Sequence, residues 1–280
     1  MMNHTRILVA LSPTAGHDAA FERGLALAKA SGAELYLLQA VPTDLPYSYR
    51  AAERLRRGTA LRERAEAAGV AVMGIEQHGD PADLIVLHAE ALSVDLIVMG
   101  TEGRTGWALW REPSVAERVL RETTRPALVV RDDDTAAAFE RVVAAVDLSP
   151  ASTGVIDAAL RYAAGDGHRV SVMHVVNGVA AAGDVLSQAR WIVPEYRGYM
   201  LDAARRRLGD FVPATGYADV ELHVAGGPAV DAIRAYVADV DADLIVLGGS
   251  QRVMHLGSTA ARIVRYADRA VLVVPPAVAV

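Results

Sequence analysis

A glycine-rich segment near the middle of the chain has residue types that bind phosphate. It reads MGTEGRTGWALWREPSVAERVL, with Gly100 at the end of an apolar run, Gly103 three positions later and Ser114 opening a helical pattern. Glycines leave backbone N–H groups accessible to an anion, and Ser114 with Glu117 forms the capping-box pattern of a helix N-terminus. Because that end of a helix carries positive partial charge, the spacing indicates an anion-binding turn.

This segment belongs to an internal duplication. RILVALSPT recurs as RVVAAVDLSP at an offset of 135 residues, VDLIVMG as ADLIVLG at 148, and PSVAERVLRETTRPALVV as GSTAARIVRYADRAVLVV at 144. These offsets require thirteen extra residues in the second copy, expected near residues 177–218, and four fewer after Gly248. The duplication places Ser12 opposite Asp147, Ala40 opposite Val175, Gly100 opposite Gly248, and Ser114 opposite Ser258.

The two copies share an alternation of short β-branched runs and longer helical patterns, such as residues 19–31 and 82–91. Hydrophobic residues make up 52% of the chain and aromatic ones 5%, which suits parallel strands buried on both faces. We therefore predict an α/β fold of two tandem, doubly wound, parallel five-stranded sheets. The expected strands are 6–11, 34–40, 70–76, 95–100, 126–131, 141–147, 169–176, 219–225, 243–248 and 270–275.

The copies are separated by the short polar segment RDDDTAAAFE. Three consecutive aspartates are not accepted by a hydrophobic core unless they are paired. We therefore predict a boundary near Thr135, with one domain at residues 1–134 and a second at 135–280.

The turn after the fourth strand resembles the ATP-binding signature of the universal stress protein family, which is G-x-x-G, nine residues, then G-[S/T]. The resemblance covers nearly all of both copies. It implies a Rossmann-like strand order of 3-2-1-4-5, adenine near the ends of the first two strands, and phosphates on the glycine loop and the Gly-Ser turn. The implied ligand is ATP or a related adenine nucleotide, which Mg²⁺ could accompany. The corresponding positions are Ser12, Ala40, Met99, Gly100, Gly103, Arg104, Ser114 and Val115 in the first copy, and Asp147, Val175, Gly248, Gly257 and Ser258 in the second.

Each copy departs from the family pattern at a different place. The first has Pro113 where the signature has glycine and Ser12 where the family has aspartate, so it lacks one N–H donor and one carboxylate. The second keeps Asp147 but has Gln251 in place of the second glycine, in a loop four residues shorter. Because its loop has the full length, we expect the first copy to be the better nucleotide site.

Purely structural roles remain open for the same residues. Gly100 and Gly103 could form a tight strand-to-helix turn without a ligand. Ser114 could serve only as a helix cap. Asp147 could cap the helix that follows it in DLSPAS.

Several functional classes are disfavoured by composition. The net charge is −6 with no basic stripe, which argues against nucleic acid as a partner. The chain has no cysteine, and its eight histidines are not spaced with carboxylates as metal ligands would be. No nucleophile, base and acid can be assembled, so we expect no enzyme. The apolar stretch at residues 7–11 is too short for a signal peptide, and no apolar run is long enough to span a bilayer. We therefore expect a cytoplasmic protein that is not associated with a membrane.

The resemblance therefore implies a stress-response regulator that binds an adenine nucleotide without dedicated catalysis. The alternative is an adaptor with degenerate pockets that acts through protein–protein contacts. Family members commonly dimerise through their last strands, so the strands PALVV and AVLVV are expected to join the copies as an intramolecular pseudo-dimer. A protein partner or a homodimer of whole chains is also compatible with this hypothesis.

Overall fold

A computed structural model describes most of the chain. The described residues are 4–11, 18–42, 51–101, 113–131, 138–164, 167–177, 192–214, 220–249 and 257–276, with only the backbone described at 192–196 and 213–214. In the first repeat they form β1 (Arg6–Leu11), α1 (Ala19–Ser31), β2 (Glu34–Val41), α2 (Ala51–Ala67), β3 (Val72–His78), α3 (Pro81–Ala91), β4 (Leu96–Gly100), α4 (Val115–Glu122) and β5 (Ala127–Val130).

The second repeat has the same succession of elements. It contains β6 (Arg141–Val146), α5 (Ser152–Tyr162), β7 (Arg169–Val176), α6 (Ile192–Ala214), β8 (Glu221–Gly226), α7 (Ala229–Asp239), β9 (Leu244–Gly248), α8 (Ser258–Tyr266) and β10 (Ala270–Val274). The α/β class and the duplication predicted from the sequence are therefore confirmed.

In the first repeat, β1 lies between β2 and β4. β3 pairs with the far side of β2 and β5 with the far side of β4, and all four pairs are parallel. The strand order is thus 3-2-1-4-5, as predicted. From β1 to β3 the chain adds strands toward one edge of the sheet, and from β4 to β5 it adds them toward the other edge. Right-handed connections therefore place α1 and α2 on one face and α3 and α4 on the other.

The second repeat follows the same order in its first four strands. β6 pairs with β7 and β9, and β7 pairs with β8, all in parallel. The chain forms two compact units, of which the first contains the described residues up to 131, Gly249 and residues 268–275. Within that unit, β10 pairs antiparallel with β5, with Leu272 opposite Leu128, so the predicted meeting of the AVLVV and PALVV strands is confirmed. The predicted boundary at Thr135 lies outside the described residues.

The central strands carry the core. In β4, the four residues Leu96–Met99 are buried, and all four residues of β5 are buried as well. Continuous apolar runs of this kind are typical of parallel strands covered by helices on both faces.

A carboxylate anchors the start of the first strand in each repeat. One oxygen of Asp95 accepts hydrogen bonds from the backbone N–H groups of Thr5 and Arg6, at 2.7 and 3.0 Å. Asp243 accepts equivalent bonds from the N–H groups of Glu140, at 2.8 Å, and Arg141, at 3.2 Å. The same device therefore ties the start of β4 to β1 and the start of β9 to β6.

Two details of the sequence prediction concern the third strand and the insertion. The third strand was expected at residues 70–76 but begins at Val72, because Val70 belongs to the end of α2. Gly69 has a φ of 78°, and the N–H of Val70 bonds the carbonyl of Ala65 at 3.0 Å, which is a Schellman-type helix end. Helix α6 accounts for six of the thirteen expected extra residues, since it has 23 residues where α2 has 17.

Among the described helices, none combines the length and the apolar character that crossing a membrane requires.

The contact between α1 and β1 leaves no space for a side chain at Gly24. A Cβ at this position would lie 2.4 Å from Cγ2 of Val9, a fully buried side chain. We expect Gly24→Ala to lower the free energy of unfolding by about 1–3 kcal/mol, since overpacking forces the core to shift. Urea denaturation measures this change.

Gly58 in α2 provides the matched control. A Cβ there would meet only Oε1 of Gln39, at 3.6 Å, which is an ordinary contact. Gly58→Ala is expected to be neutral or to raise stability by up to about 1 kcal/mol, because alanine favours the helix. Equal stability of Gly24→Ala and the wild-type protein would contradict the packing described.

Candidate functional site

The carboxyl ends of the parallel strands β1, β2, β4 and β5 lie at one edge of the sheet in the first unit. At this edge Ala10 of β1 lies opposite Met99 of β4. The connection that follows β1 and the connection that follows β4 run to opposite faces of the sheet, because the direction of winding reverses between these two strands. In open α/β sheets such a reversal leaves a crevice in which ligands bind.

The described site residues of the first unit lie at this edge. Ala40 and Met99 are buried near the ends of β2 and β4. Gly100 is exposed, and a Cβ added to it would meet no described atom within 4 Å. Among the described residues, the space beside the Cα of Gly100 is therefore unfilled. Ser12, Gly103 and Arg104 lie outside the described residues, so their roles stay predictions.

The N-terminus of α4 has the predicted capping box. Oγ of Ser114 accepts a hydrogen bond from the N–H of Glu117 at 3.1 Å, and Oε2 of Glu117 accepts one from the N–H of Ser114 at 2.9 Å. The structural role of Ser114 is therefore present. The first N–H groups of a helix have no partner within the helix, so an anion at this end would meet those of Val115 and Ala116.

In the second unit, Asp147 follows β6 at the corresponding edge. Its Oδ1 accepts hydrogen bonds from the N–H of Ser149 and from Oγ of Ser152, both at 2.9 Å. Ser152 is the first residue of α5, so the alternative that Asp147 supports this helix start has a structural basis. Leu148, between Asp147 and Ser149, has a φ of 62°, an uncommon conformation for a bulky residue.

The hydrogen bonds keep Asp147 ionised. Burial alone would raise its pKa, but the bonds from Ser149 and Ser152 outweigh that effect, so the pKa of Asp147 lies below its usual value. At neutral pH Asp147 is therefore a carboxylate at the strand edge, able to accept hydrogen bonds from a ligand.

The other second-unit residues give a less open turn. A Cβ at Gly248 would lie 3.4 Å from Cγ2 of Val155 in α5, whereas the equivalent Gly100 is unobstructed. Helix α8 begins at Ser258 after Gly257, and no side-chain hydrogen bond caps this helix. Val175 lies in β7, near its carboxyl end. Gln251 lies outside the described residues.

Sequence reasoning missed a cation at the edge of the first unit. Nη1 of Arg131, directly after β5, donates a hydrogen bond to Oγ1 of Thr101, directly after β4, at 3.0 Å. The sequence could have indicated this contact, because Thr101 and Arg131 each come directly after a strand and the two strands were expected to be neighbours. Within the ranges the structure describes, no three histidine or carboxylate side chains are grouped as metal ligands.

These features define a tandem pair of α/β units, each built on a parallel sheet whose winding reverses next to its first strand. The sequence profile of the universal stress protein family matches both repeats, over residues 3–131 and 138–275. These matches cover nearly the whole chain, so the chain belongs to the universal stress protein family.

Individual relatives agree with this assignment. A universal stress protein of Methanocaldococcus jannaschii is 44% identical over 71 residues, which span 25% of this chain and only 42% of that protein. The crystal structure of a universal stress protein from Archaeoglobus fulgidus superposes with a TM-score of 0.74 at 21% identity, over 98% of this chain and 97% of the other. A functionally unknown protein from Pseudomonas aeruginosa superposes with a TM-score of 0.71 at 20% identity, over 98% and 93%. These two structures show a shared fold.

The capping box predicts unequal effects of two equivalent serines. Ser114→Ala removes the cap of α4 and is expected to lower the free energy of unfolding by about 1 kcal/mol. Ser258→Ala is expected to change it by less than about 0.5 kcal/mol, because Ser258 is not the capping residue of α8. Thermal denaturation of the two variants makes the comparison, and a larger loss for Ser258→Ala would contradict it.

The lowered pKa of Asp147 predicts a pH-dependent contribution to stability. A carboxylate with a depressed folded-state pKa stabilises the fold above its unfolded-state pKa, about 3.9, and the contribution disappears as the pH falls through the folded-state value. The stability difference between the wild-type protein and Asp147→Asn should therefore be largest near pH 7 and shrink below about pH 4. Urea denaturation at several pH values tests this, and a difference that grows on acidification would refute it.

Proposed function

We propose that this protein is a stress-response regulator that binds ATP or a related adenine nucleotide in the first unit, without catalysing its turnover. The nucleotide would lie in the crevice at the carboxyl ends of β1, β2 and β4. Binding would change the association of the protein with a partner protein or with a second copy. Membership in the universal stress protein family supports this assignment.

The observation that carries the proposal is that no described atom lies within 4 Å of a Cβ added to Gly100. A phosphate binds a glycine turn through backbone N–H groups, which requires that no side chain cover them. The first turn of α4 adds donors, because this helix runs antiparallel to the strands and its N-terminus lies at the same edge of the sheet. The base would meet the ends of β1 and β2, where Ala40 is apolar and buried.

The second unit is the weaker candidate for the nucleotide. Its carboxylate at Asp147 is suited to a ribose hydroxyl, but Oδ1 already holds two groups of its own loop. Its glycine after the strand lies against Val155, and its loop is four residues shorter than that of the first repeat.

An adaptor without a nucleotide is the second candidate function. Pro113 directly precedes the cap of α4 and offers no N–H where the family signature has glycine. The capping box also occupies the N–H of Ser114 internally. An adaptor would use the surface of the protein and leave the crevice empty.

Ligand released from freshly purified protein and identified by mass spectrometry separates the two functions, together with calorimetric titration of ATP and AMP. We expect retained adenine nucleotide or a measurable binding heat. The absence of both would reject the nucleotide proposal in favour of the adaptor.

Two equivalent variants locate the site. Gly100→Val is expected to abolish ATP binding without unfolding the protein, because its side chain would enter the crevice expected to hold the ligand, at a position where a Cβ meets no described atom within 4 Å. Gly248→Val, at the matching position of the second unit, should leave ATP binding unchanged. The reverse pattern would move the site to the second unit, and the melting temperature of each variant controls for misfolding.

A further inference from the structure

Arg131 and Thr101 extend the candidate edge beyond the residues of the family signature. Gly100 lies opposite Val130 in the pairing of β4 with β5, and the N–H of Thr101 bonds the carbonyl of Val130 at 3.0 Å. The side chains of the next residues, Thr101 and Arg131, are joined by a hydrogen bond of 3.0 Å. The arginine is thus held one step past Gly100, on the opposite face of the sheet from the space beside the Cα of that glycine.

The side chain of Arg131 lies on the face of the sheet that carries α4. Val9 packs against Gly24 of α1, and Val98 is its partner in the parallel pairing, so both point to the α1 face. Side chains alternate along a strand, which puts Thr101 and Arg131 on the opposite face. That face carries α3 and α4, and the N-terminus of α4 lies at the same edge of the sheet.

The guanidinium of Arg131 retains donors for a ligand. An arginine has five N–H donors, and one of them is used on Thr101, a neutral hydroxyl. In the described part of the chain, the hydrogen bond to Thr101 is the contact of the Arg131 guanidinium, and no ion pair with a carboxylate is formed. The side chain is half-buried, so its orientation is restricted before a ligand arrives.

The second repeat provides an internal comparison. At the offsets of the duplication, Pro275 stands in the place of Arg131 and Gly249 in the place of Thr101. Neither replacement can supply a cation or a hydroxyl. The two edges therefore differ in their ability to bind a multiply charged anion, and the net charge of −6 makes a local cation more important for such a ligand.

We propose that Arg131 binds the phosphate chain of the nucleotide, with Thr101 as its positioning residue, and that it makes the first unit selective for phosphorylated nucleotides over nucleosides. This inference rests on the proposed nucleotide function. A guanidinium forms bidentate, charge-assisted hydrogen bonds with phosphate oxygens, which makes arginine well suited to this role. The rival arrangement is that Arg131 only neutralises Asp132, Asp133 and Asp134, which follow it in the sequence.

Calorimetric titration of the full chain with ATP, adenosine and tripolyphosphate tests the role of Arg131. We expect Arg131→Gln to weaken ATP binding by about tenfold to a hundredfold, the effect of losing a charged hydrogen bond, and to leave the affinity for adenosine unchanged. Arg131→Lys should recover part of the loss. Thr101→Val should weaken ATP binding by a smaller factor than Arg131→Gln does. Its effect on the affinity for adenosine should be smaller than its effect on the affinity for ATP.

Arg121→Gln is the matched control. It removes one positive charge from an exposed position in the last turn of α4, at the other end of that helix, and should leave the affinity for ATP unchanged. Melting temperatures show whether each variant is folded.

The outcomes separate this inference from the proposed function. ATP binding that Arg131→Gln and Arg131→Lys leave unchanged would overturn the role of Arg131 while the nucleotide function stands. Tripolyphosphate binding that depends on Arg131, without binding of ATP or adenosine, would reject the nucleotide function and support the anion contact. Binding of none of the three ligands would reject both.

Discussion

The reversal of winding between β1 and β4 is the constraint on which the site depends. Crossovers between parallel strands are right-handed. In a sheet ordered 3-2-1-4-5, this handedness puts the first two helices on one face and the next two on the other. The two connections therefore part at the carboxyl ends of β1 and β4. No residue of the crevice needs to be strained to create the opening, because it follows from the order of the strands. The amino ends of the same strands are held together instead, by Asp95 in one repeat and Asp243 in the other.

The two repeats have kept this frame and diverged at the strand tips. Both retain a carboxylate that anchors the first strand, and both have positive φ at equivalent positions, Ser93 and Asp241. The differences lie where a ligand would bind. One unit has a capped helix, an open glycine and Arg131, and the other has an uncapped helix, an obstructed glycine and Asp147. A duplicated chain can hold one working site and one altered site because the frame does not depend on the residues at the tips.

Much of this organisation could be predicted from the sequence because it is local or repeated. Helix α1 and strand β1 have the bounds expected from their apolar periodicity, and the capping box follows from the spacing of Ser114 and Glu117. The start of β3 could not be predicted, because Val70 looks like a strand residue until its bond to Ala65 makes it part of a helix end. The contact of Arg131 with Thr101 joins residues 30 positions apart, and only the pairing of β4 with β5 brings them together. The identity of the ligand is likewise beyond the pattern, since Gly100 could serve a turn or a phosphate.

Hydrogen–deuterium exchange with and without ATP shows which unit binds the nucleotide, because it reports on backbone N–H groups in both units at once. If the nucleotide binds the first unit, ATP slows exchange in peptides covering residues 96–101 and 115–122 and leaves residues 244–248 and 258–266 unchanged. Protection limited to the second unit, or no protection in either, would contradict this prediction.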